Sequence, residues 1–261
     1  EGTPQQFLLY LSGSDTFGDV STLARSDVNI LAAVNTQTKE LLLVATPRDF
    51  YLSFPQTGGA MDKLTHAGVY GIDASVAALE GLYGVDISYY VKMNFTGFVE
   101  VIDALGGVSV YSDREFTVEN IRTYQEGYNQ LTGIEALAFA RERMSFPEGD
   151  YQRAKNQMEV IRAVVEKAAS PALLGNLSGI LEAVEGNFQT NLPQSQILAL
   201  APTLAGDWDI RSLTVSGESA YRETYSMPGS ELYVILPDES SVEDAACQIQ
   251  EVLGGSGQSG P

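Results

Sequence analysis

The sequence predicts an α/β fold: a single three-layer domain in which helices cover both faces of a central mixed β-sheet. The first indication is a series of short apolar runs, several of them continuous rather than alternating, which is typical of strands buried on both faces. The second is that segments with helical periodicity lie between these runs, as in layered α/β domains. The length of 261 residues is sufficient for one such domain.

The predicted strands are Phe7–Leu11, Val28–Val34, Leu41–Ala45, Tyr89–Met93, Val108–Tyr111, Leu213–Val215 and Leu232–Leu236. The predicted helices are Ile72–Leu82, Phe95–Leu105, Gly133–Ala140, Tyr151–Ala169, Ala172–Val184, Gln194–Ala205 and Val242–Leu253. A capping-box pattern, Thr132 with Glu135, begins the third helix. We expect one domain over residues 1–253 and a flexible, glycine-rich and serine-rich tail over residues 254–261.

The composition disfavours several classes of function. The chain carries 15 Lys and Arg against 34 Asp and Glu, a formal net charge of −19. This charge argues against nucleic acid as a partner, and against docking on an anionic membrane through general electrostatics. The single cysteine, Cys247, excludes an intramolecular disulfide and a multi-cysteine metal site. No apolar stretch approaches the roughly 18–20 residues that a membrane-spanning helix requires.

Arginines are concentrated in one short segment of this acidic chain, which contains Arg141, Arg143 and Arg153. Guanidinium groups bind phosphate or carboxylate oxygens two at a time. On an extended segment Arg141 and Arg143 share a face. On a helix Arg153 and Gln157 share a face, close to the positively polarised N-terminus. The segment suggests a site for a compact anion; the alternative is a set of surface ion pairs with Glu142, Glu148 and Asp150.

Two aspartates stand beside predicted strands near the N-terminus. Asp15 follows the strand Phe7–Leu11, and Asp27 directly precedes the strand Val28–Val34. Carboxylates at strand ends are well placed to meet at one edge of a sheet. Two of them suit Mg²⁺, which binds one or two carboxylates together with waters and substrate phosphates. The alternative is that both are turn residues that bond to their own backbone.

A third group follows the strand Leu41–Ala45, at the kind of strand end where open α/β sheets bind ligands. Arg48 lies there, and Asp49 either orients it for ligand binding, which we favour, or pairs with it structurally. Lys63 is either an additional charge in a phosphate site or a solvated surface residue. The lone His66 cannot form a catalytic triad by itself and is expected to be a polar or loop-packing residue. The sequence has no P-loop, no nucleophile elbow and no His-Glu-x-x-His motif.

Taken together and in order, these residues resemble the LytR-CpsA-Psr family of Gram-positive bacteria, from about Phe7 to Leu253. The motifs that carry the resemblance are Gly13-Ser-Asp15, Ala24-Arg-Ser-Asp27, Pro47-Arg-Asp49, Asp62-Lys63, Phe95-Thr-Gly-Phe98 to Asp103-Ala-Leu-Gly-Gly107-Val, Leu131-Thr-Gly-Ile-Glu135-Ala-Leu-Ala138, and Arg141-Glu-Arg143 through Gly149-Asp150-Tyr-Gln-Arg153-Ala-Lys-Asn-Gln157. Any one motif is weak, but seven in the family's order and spacing are specific. His66 and Thr65 depart from the residues that the family often has at these positions.

The resemblance implies an enzyme that transfers a glycopolymer phosphate, such as teichoic acid or capsular polysaccharide, from a polyprenyl-diphosphate carrier to peptidoglycan. It also implies an extracytoplasmic location at the Gram-positive cell surface, with an N-terminal membrane anchor that is absent from this sequence. Two alternatives remain open: a non-catalytic module that binds polyprenyl-phosphate lipids, and a pyrophosphatase that acts on the lipid-linked polymer.

The resemblance also assigns roles to residues. It implies that Asp15 and Asp27 are linked to Mg²⁺ or Mn²⁺, and that a set of cationic and amide side chains binds the diphosphate. That set is Arg48, Lys63, Arg141, Arg143, Arg153 and Gln157. The base that deprotonates the acceptor hydroxyl is Asp15, Asp27 or Asp49, and the sequence does not choose among them.

Overall fold

The computed structural model describes residues 3–147 and 149–254. The predicted tail at residues 254–261 therefore lies, except for Gly254, outside the described residues. The strands are β1 (Gln6–Ser14), β2 (Val28–Asn35), β3 (Glu40–Ala45), β4 (Tyr51–Ser53), β5 (Met61–Lys63), β6 (Tyr89–Asn94), β7 (Val108–Ser112), β8 (Phe116–Val118), β9 (Arg122–Tyr124), β10 (Gly127–Leu131), β11 (Phe188–Thr190), β12 (Asp209–Thr214), β13 (Gly217–Thr224) and β14 (Met227–Pro237).

The helices are distributed among these strands along the chain. They are α1 (Leu64–Ala67), α2 (Ile72–Tyr83), α3 (Phe95–Ala104), α4 (Gly133–Arg141), α5 (Asp150–Ala168), α6 (Pro171–Leu174), α7 (Leu177–Ala183), α8 (Gln194–Leu204) and α9 (Glu239–Val252), with 3₁₀ turns at Pro55–Thr57 and Gly68–Tyr70. Within the described ranges, no helix is both long enough and apolar enough to cross a lipid bilayer.

The central sheet is mixed, as the sequence predicts. Its six strands lie in the order β11, β6, β1, β2, β3 and β12. Strand β1 is parallel to β6 and β3 is parallel to β12, whereas the other neighbours are antiparallel. The register of β1 and β2 pairs Gly13 with Val28. This pairing places the residues just beyond the end of β1 beside those just before β2.

Helices cover both faces of the sheet because successive side chains of a strand point in opposite directions. On one face, residues such as Leu8 and Tyr10 of β1 pack in a core with α2 and α9. On the other face, Leu9 and Leu11 pack beside Ile30, and Met158 of α5 belongs to the same cluster. The two apolar layers explain why the inner strands are continuous hydrophobic runs.

A second hydrophobic core lies beside the central sheet and is built largely from aromatic rings. The rings of Phe116, Tyr124, Phe139 and Phe146 contact one another with centroids 4.8–5.4 Å apart. Val160 of α5 packs into this core. Helix α5 is therefore shared between the sheet and the aromatic core.

The structure corrects several sequence predictions. The predicted strand Val108–Tyr111 forms as β7 but pairs with β10 outside the central sheet, and Leu232–Leu236 is part of a long hairpin with β13. The predicted helix Ala172–Val184 is two helices, α6 and α7, which are separated at Gly175 and Asn176 because both residues are weak helix formers. The strands β4, β5, β8 to β11 and β13 escape prediction because they are short or polar.

Gly133, the first residue of α4, lies against the backbone of α3. A Cβ atom at this position would lie 2.2 Å from the carbonyl oxygen of Val99, and backbone cannot move aside as a flexible side chain can. We expect Gly133→Ala to lower the free energy of unfolding by about 1–3 kcal/mol or more. Chemical denaturation measures this loss.

The matched control is Gly81→Ala in α2, where a Cβ meets nothing within 4 Å. This change should raise stability by about 0.5–1 kcal/mol because alanine is the better helix former. Equal stability of the two variants would contradict the close approach of α3 and α4.

Candidate functional site

Seven of the side chains singled out in the sequence line one cavity of about 170 Å³. Its lining consists of Asp15, Asp27, Val28, Arg48, Arg141, Arg143, Arg153 and Gln157. A separate cavity of about 210 Å³ is lined by residues of the α3–β7 and β10–α4 connections, with Asp103 as its one ionisable side chain. Only the first cavity combines several cations with carboxylates, so it is the candidate active site.

Two layers of the fold meet at this cavity. The sheet supplies Asp15 beyond the end of β1, Asp27 before β2, and Arg48 after β3. The pairing of β1 with β2 keeps Asp15 and Asp27 close together, because the backbone N–H of Asp27 donates to the carbonyl of Gly13 at 2.8 Å. The helical layer supplies Arg141 at the end of α4 and Arg153 in the first turn of α5.

Asp27 is held in place by hydrogen bonds. Its Oδ1 accepts from Nη1 of Arg48 at 2.8 Å and from the hydroxyl of Thr65 at 3.4 Å, and its Oδ2 accepts from the backbone N–H of Asp15 at 3.3 Å. Burial opposes the charge of Arg48, but the hydrogen bond and charge of Asp27 outweigh it and raise the pKa of Arg48. Sequence reasoning assigned no role to Thr65, which reaches Asp27 from helix α1.

Asp15 has a different environment. Within the part of the chain that the structure describes, its carboxylate accepts no hydrogen bond. Burial, and then the charge of Asp27, raise the pKa of Asp15; the charges of Arg141, Arg153 and Arg48 oppose the shift without cancelling it. Asp15 is thus the more available oxygen ligand or proton acceptor of the two aspartates.

Asp150 bridges two of the arginines. Its Oδ1 lies 3.6 Å from Nη1 of Arg143 and 3.4 Å from Nη2 of Arg153. Burial lowers the pKa of Arg153, an effect that Asp150 opposes and the nearby charges of Arg48 and Arg143 reinforce. The ion pairs that the sequence allows with Asp150 therefore form with two arginines of the cavity, although Asp150 itself is half exposed and does not line it. Glu148 lies outside the described residues.

Arg141 differs from the extended residue that its spacing with Arg143 suggests. It is the last residue of α4, and the chain becomes extended only at Glu142. Its guanidinium carbon lies 4.1 Å from the centroid of the Phe95 ring. Sequence reasoning missed this contact, because Phe95 and Arg141 are far apart in the chain.

Asp49 and Lys63 do not line the cavity. Nζ of Lys63 donates to Oδ1 of Asp49 at 2.9 Å, and Nε of Arg48 lies 3.8 Å from Oδ2 of Asp49. Asp49 thus holds Arg48 from outside the cavity lining. Lys63 pairs with Asp49 and does not line the cavity with the other cations.

His66 is a packing residue, as the sequence suggests. Its Nδ1 lies 2.6 Å from Oδ1 of the buried Asp62 and 2.7 Å from Oγ of Ser226. A proton relay through histidine requires both ring nitrogens, but here both partners meet the same nitrogen. The cluster instead ties the β13–β14 hairpin to α1.

The donor set fits Mg²⁺ only in part. Among residues 3–147 and 149–254 there is no group of three or more His, Cys, Asp or Glu side chains that could hold a metal. Asp15 and Oδ2 of Asp27 provide two carboxylates, the number that Mg²⁺ takes when waters and substrate phosphates complete its octahedron.

The LytR_cpsA_psr family model matches residues 3–240. The chain belongs to this family. TagU of Bacillus mycoides, a polyisoprenyl-teichoic acid–peptidoglycan teichoic acid transferase, is 38% identical over 190 residues, which are 72% of this chain and 61% of TagU. The chain thus matches less than two thirds of the length of that relative. TagT of Bacillus subtilis, a transferase of the same name, is 28% identical over 255 residues, which are 95% of this chain and 76% of TagT.

Solved structures of similar proteins share the fold. TagV of B. subtilis superposes with a TM-score of 0.81 at 27% identity, covering 96% of this chain and 98% of TagV. TagT bound to LIIa-WTA superposes with a TM-score of 0.78 at 26% identity, covering 97% and 93%. Every residue of the candidate site lies in the part of the chain that matches the LytR_cpsA_psr family.

The environment of Asp15 has a consequence for stability. A carboxyl whose folded pKa is raised binds protons more readily in the folded state, so its ionisation destabilises the fold as the pH rises. We expect Asp15→Asn to be more stable than the wild type at pH 7. The gain should vanish below about pH 4, where Asp15 is protonated in both states. Urea denaturation across this pH range measures it.

The control is Asp27→Asn, which removes the charge that pairs with Arg48 at 2.8 Å. This variant should lose stability at pH 7. A destabilised Asp15→Asn protein at pH 7 would contradict the assigned environment of Asp15.

Proposed function

We propose that this protein transfers an anionic glycopolymer phosphate, such as teichoic acid or capsular polysaccharide, from a polyprenyl-diphosphate carrier to peptidoglycan, with Mg²⁺ as cofactor. The named activity of TagU and TagT supports the reaction class. Such a reaction takes place outside the cytoplasm at the surface of a Gram-positive bacterium, where both the lipid carrier and the wall are present. We place the protein there, anchored to the membrane.

The observation that carries this proposal is the convergence of four arginines from sheet and helices on one small cavity of a strongly acidic protein. Phosphoryl transfer needs little covalent chemistry from the enzyme. It needs the attacking and leaving oxygens to be in line and the phosphate charge to be balanced. Planar guanidinium groups provide both functions at a diphosphate.

In the proposed reaction an acceptor hydroxyl of peptidoglycan attacks the phosphorus that bears the glycopolymer. The bond from this phosphorus to the bridging oxygen breaks, and the carrier leaves as polyprenyl phosphate. Arg141, Arg143 and Arg153 bind the phosphate oxygens and balance the charge that develops on the leaving group. Arg48 adds a fourth cation, while its bond to Asp27 fixes its position.

Asp15 is the preferred base among the three aspartates. Its raised pKa makes it a better proton acceptor, and its carboxylate faces the cavity without a hydrogen-bond donor among the described residues. Asp27 is committed to Arg48 and Thr65, and Asp49 lies in ion pairs behind Arg48. Asp15 takes the acceptor's proton, and Asp49 orients Arg48.

Asp15 and Asp27 would hold Mg²⁺, which when bound would balance phosphate charge as a Lewis acid. A bound Mg²⁺ would lower the basicity of the Asp15 carboxylate, so the base role and the metal role of Asp15 are alternatives that the metal titration below separates. If no acceptor is present, water in its place would give pyrophosphatase activity on the lipid-linked polymer. If no turnover occurs at all, the cavity is a lipid-diphosphate binding module.

The first test is Arg153→Ala, because Arg153 is the most enclosed of the cavity arginines, with 15% of its side chain exposed. We expect kcat/KM for transfer from a polyprenyl-diphosphate-linked glycopolymer to peptidoglycan to fall by about 100-fold or more. The assay measures released polyprenyl phosphate and polymer attached to peptidoglycan separately, so that transfer and hydrolysis are distinguished.

The matched control is Arg222→Ala on the exposed β13–β14 hairpin, which removes one positive charge away from the cavity and should retain activity. Turnover by Arg153→Ala at the wild-type rate would defeat the assignment of the site. Wild-type protein that binds the lipid without releasing polyprenyl phosphate would favour the binding module.

The second test concerns the metal. We expect activity to depend on Mg²⁺, with Mn²⁺ as a substitute, and Asp15→Asn to shift the Mg²⁺ titration to higher concentration in addition to lowering the maximal rate. An unaltered titration curve would remove Asp15 from the metal shell. Full activity in excess chelator would remove the metal from the proposal.

A further inference from the structure

Arg141 is held differently from the other cations of the cavity. Arg48 pairs with Asp27 and Asp49, and Arg143 and Arg153 pair with Asp150. Across the described ranges 3–147 and 149–254, no carboxylate forms an ion pair with Arg141. What it contacts is an aromatic face: its guanidinium carbon lies 4.1 Å from the centroid of Phe95.

An aromatic face has a specific advantage for an anion-binding arginine. The negative face of the ring attracts the guanidinium without adding a net negative charge. A carboxylate partner has to be outcompeted by an incoming phosphate, and it repels that phosphate. The donors of a guanidinium lie in its plane, so stacking leaves them free of a carboxylate and available to an anion.

Phe95 is itself fixed by the loop that begins at Asp15. Its backbone N–H donates to the carbonyl of Thr16 at 2.9 Å, and its ring meets the edge of Phe17 with centroids 5.1 Å apart. The preceding residue, Asn94, caps α3 and also donates to the carbonyl of Gly18 at 2.9 Å. Phe95 therefore joins the loop that carries Asp15 to the end of α4.

Phe95 does not belong to the large apolar clusters of the described fold. Phe95 is 8% exposed, and its ring contacts Phe17, which is 69% exposed, and the guanidinium of Arg141. Its ring thus connects an aromatic residue of the loop that follows Asp15 with an arginine of the cavity.

We propose that Phe95 is a positioning residue, whose ring holds Arg141 in the orientation that receives a phosphate group and aligns it with the loop of Asp15. This inference depends on one part of the proposed function, namely that the cavity binds a diphosphate. It predicts that Phe95 acts through Arg141, so the effect of losing the ring disappears when Arg141 is absent.

The first experiment measures binding of inorganic pyrophosphate by calorimetry. Phe95→Leu should bind pyrophosphate about three- to thirty-fold more weakly than the wild type. Phe95→Tyr, which retains the aromatic face, should bind it as tightly as the wild type. The control is Phe98→Leu, the same change in the same helix, at a residue that packs on the aromatic core instead. It should lower stability and leave pyrophosphate binding unchanged.

A double-mutant cycle then tests whether the effect passes through Arg141. In the Arg141→Ala background, which has no cation over the ring, Phe95→Leu should leave the remaining pyrophosphate binding nearly unchanged. Equal fold-changes in the two backgrounds, or wild-type affinity in Phe95→Leu, would overturn the positioning role.

A spectroscopic measurement is independent of any ligand. The Nε–H resonance of Arg141, assigned by its loss in Arg141→Lys, should carry a ring-current shift that is absent from Phe95→Leu and present in Phe98→Leu. An identical resonance in wild type and Phe95→Leu would overturn the proposal. If the shift is present but wild-type protein does not bind pyrophosphate, the stacking stands, the diphosphate site fails, and the positioning role fails with it.

Discussion

The ion pair between Arg48 and Asp27 is the interaction on which the rest of the site depends. Four arginines that share a cavity repel one another, and so do two adjacent aspartates. Carboxylates placed between the guanidinium groups reduce this repulsion: Asp27 pairs with Arg48, and Asp150 lies between Arg143 and Arg153. The balance is incomplete at Asp15, where burial and the charge of Asp27 raise the pKa, and a cation bound beside the two aspartates would reduce their repulsion.

The scaffold tolerates this repulsion because the residues that carry the charges are attached to rigid elements. The β1–β2 ladder fixes Asp27 to the end of β1, and α1 reinforces it through Thr65, whose N–H donates to the carbonyl of Arg48 at 2.9 Å. His66, the next residue, is locked by Asp62 and Ser226. The site is thus built from well-packed backbone, with the charged ends of long side chains as its adjustable part.

Much of the architecture could be predicted from the sequence, because buried strands and amphipathic helices leave strong periodic patterns. The predicted cluster of cations and aspartates also meets in one cavity, since strand ends and a helix N-terminus share the same edge of the fold. The pairing of Lys63 with Asp49 could not be predicted, because it depends on the β4–β5 hairpin. The roles of Phe95 and Thr65 depend on contacts between distant segments, for which a single sequence contains no signal.

Helix α5 serves three neighbours at once: Val160 packs in the aromatic core, Ile161 packs against the sheet, and Arg153 reaches the cavity. With side chains, a helix has a radius of about 5–6 Å, so turning it by roughly 10° moves a side-chain tip by about 1 Å. A misplacement of that size can slow a reaction about a hundredfold. The packing of the aromatic core against α5 therefore helps to fix the position of the Arg153 guanidinium, and repacking that core is a way to tune enzymes with this fold.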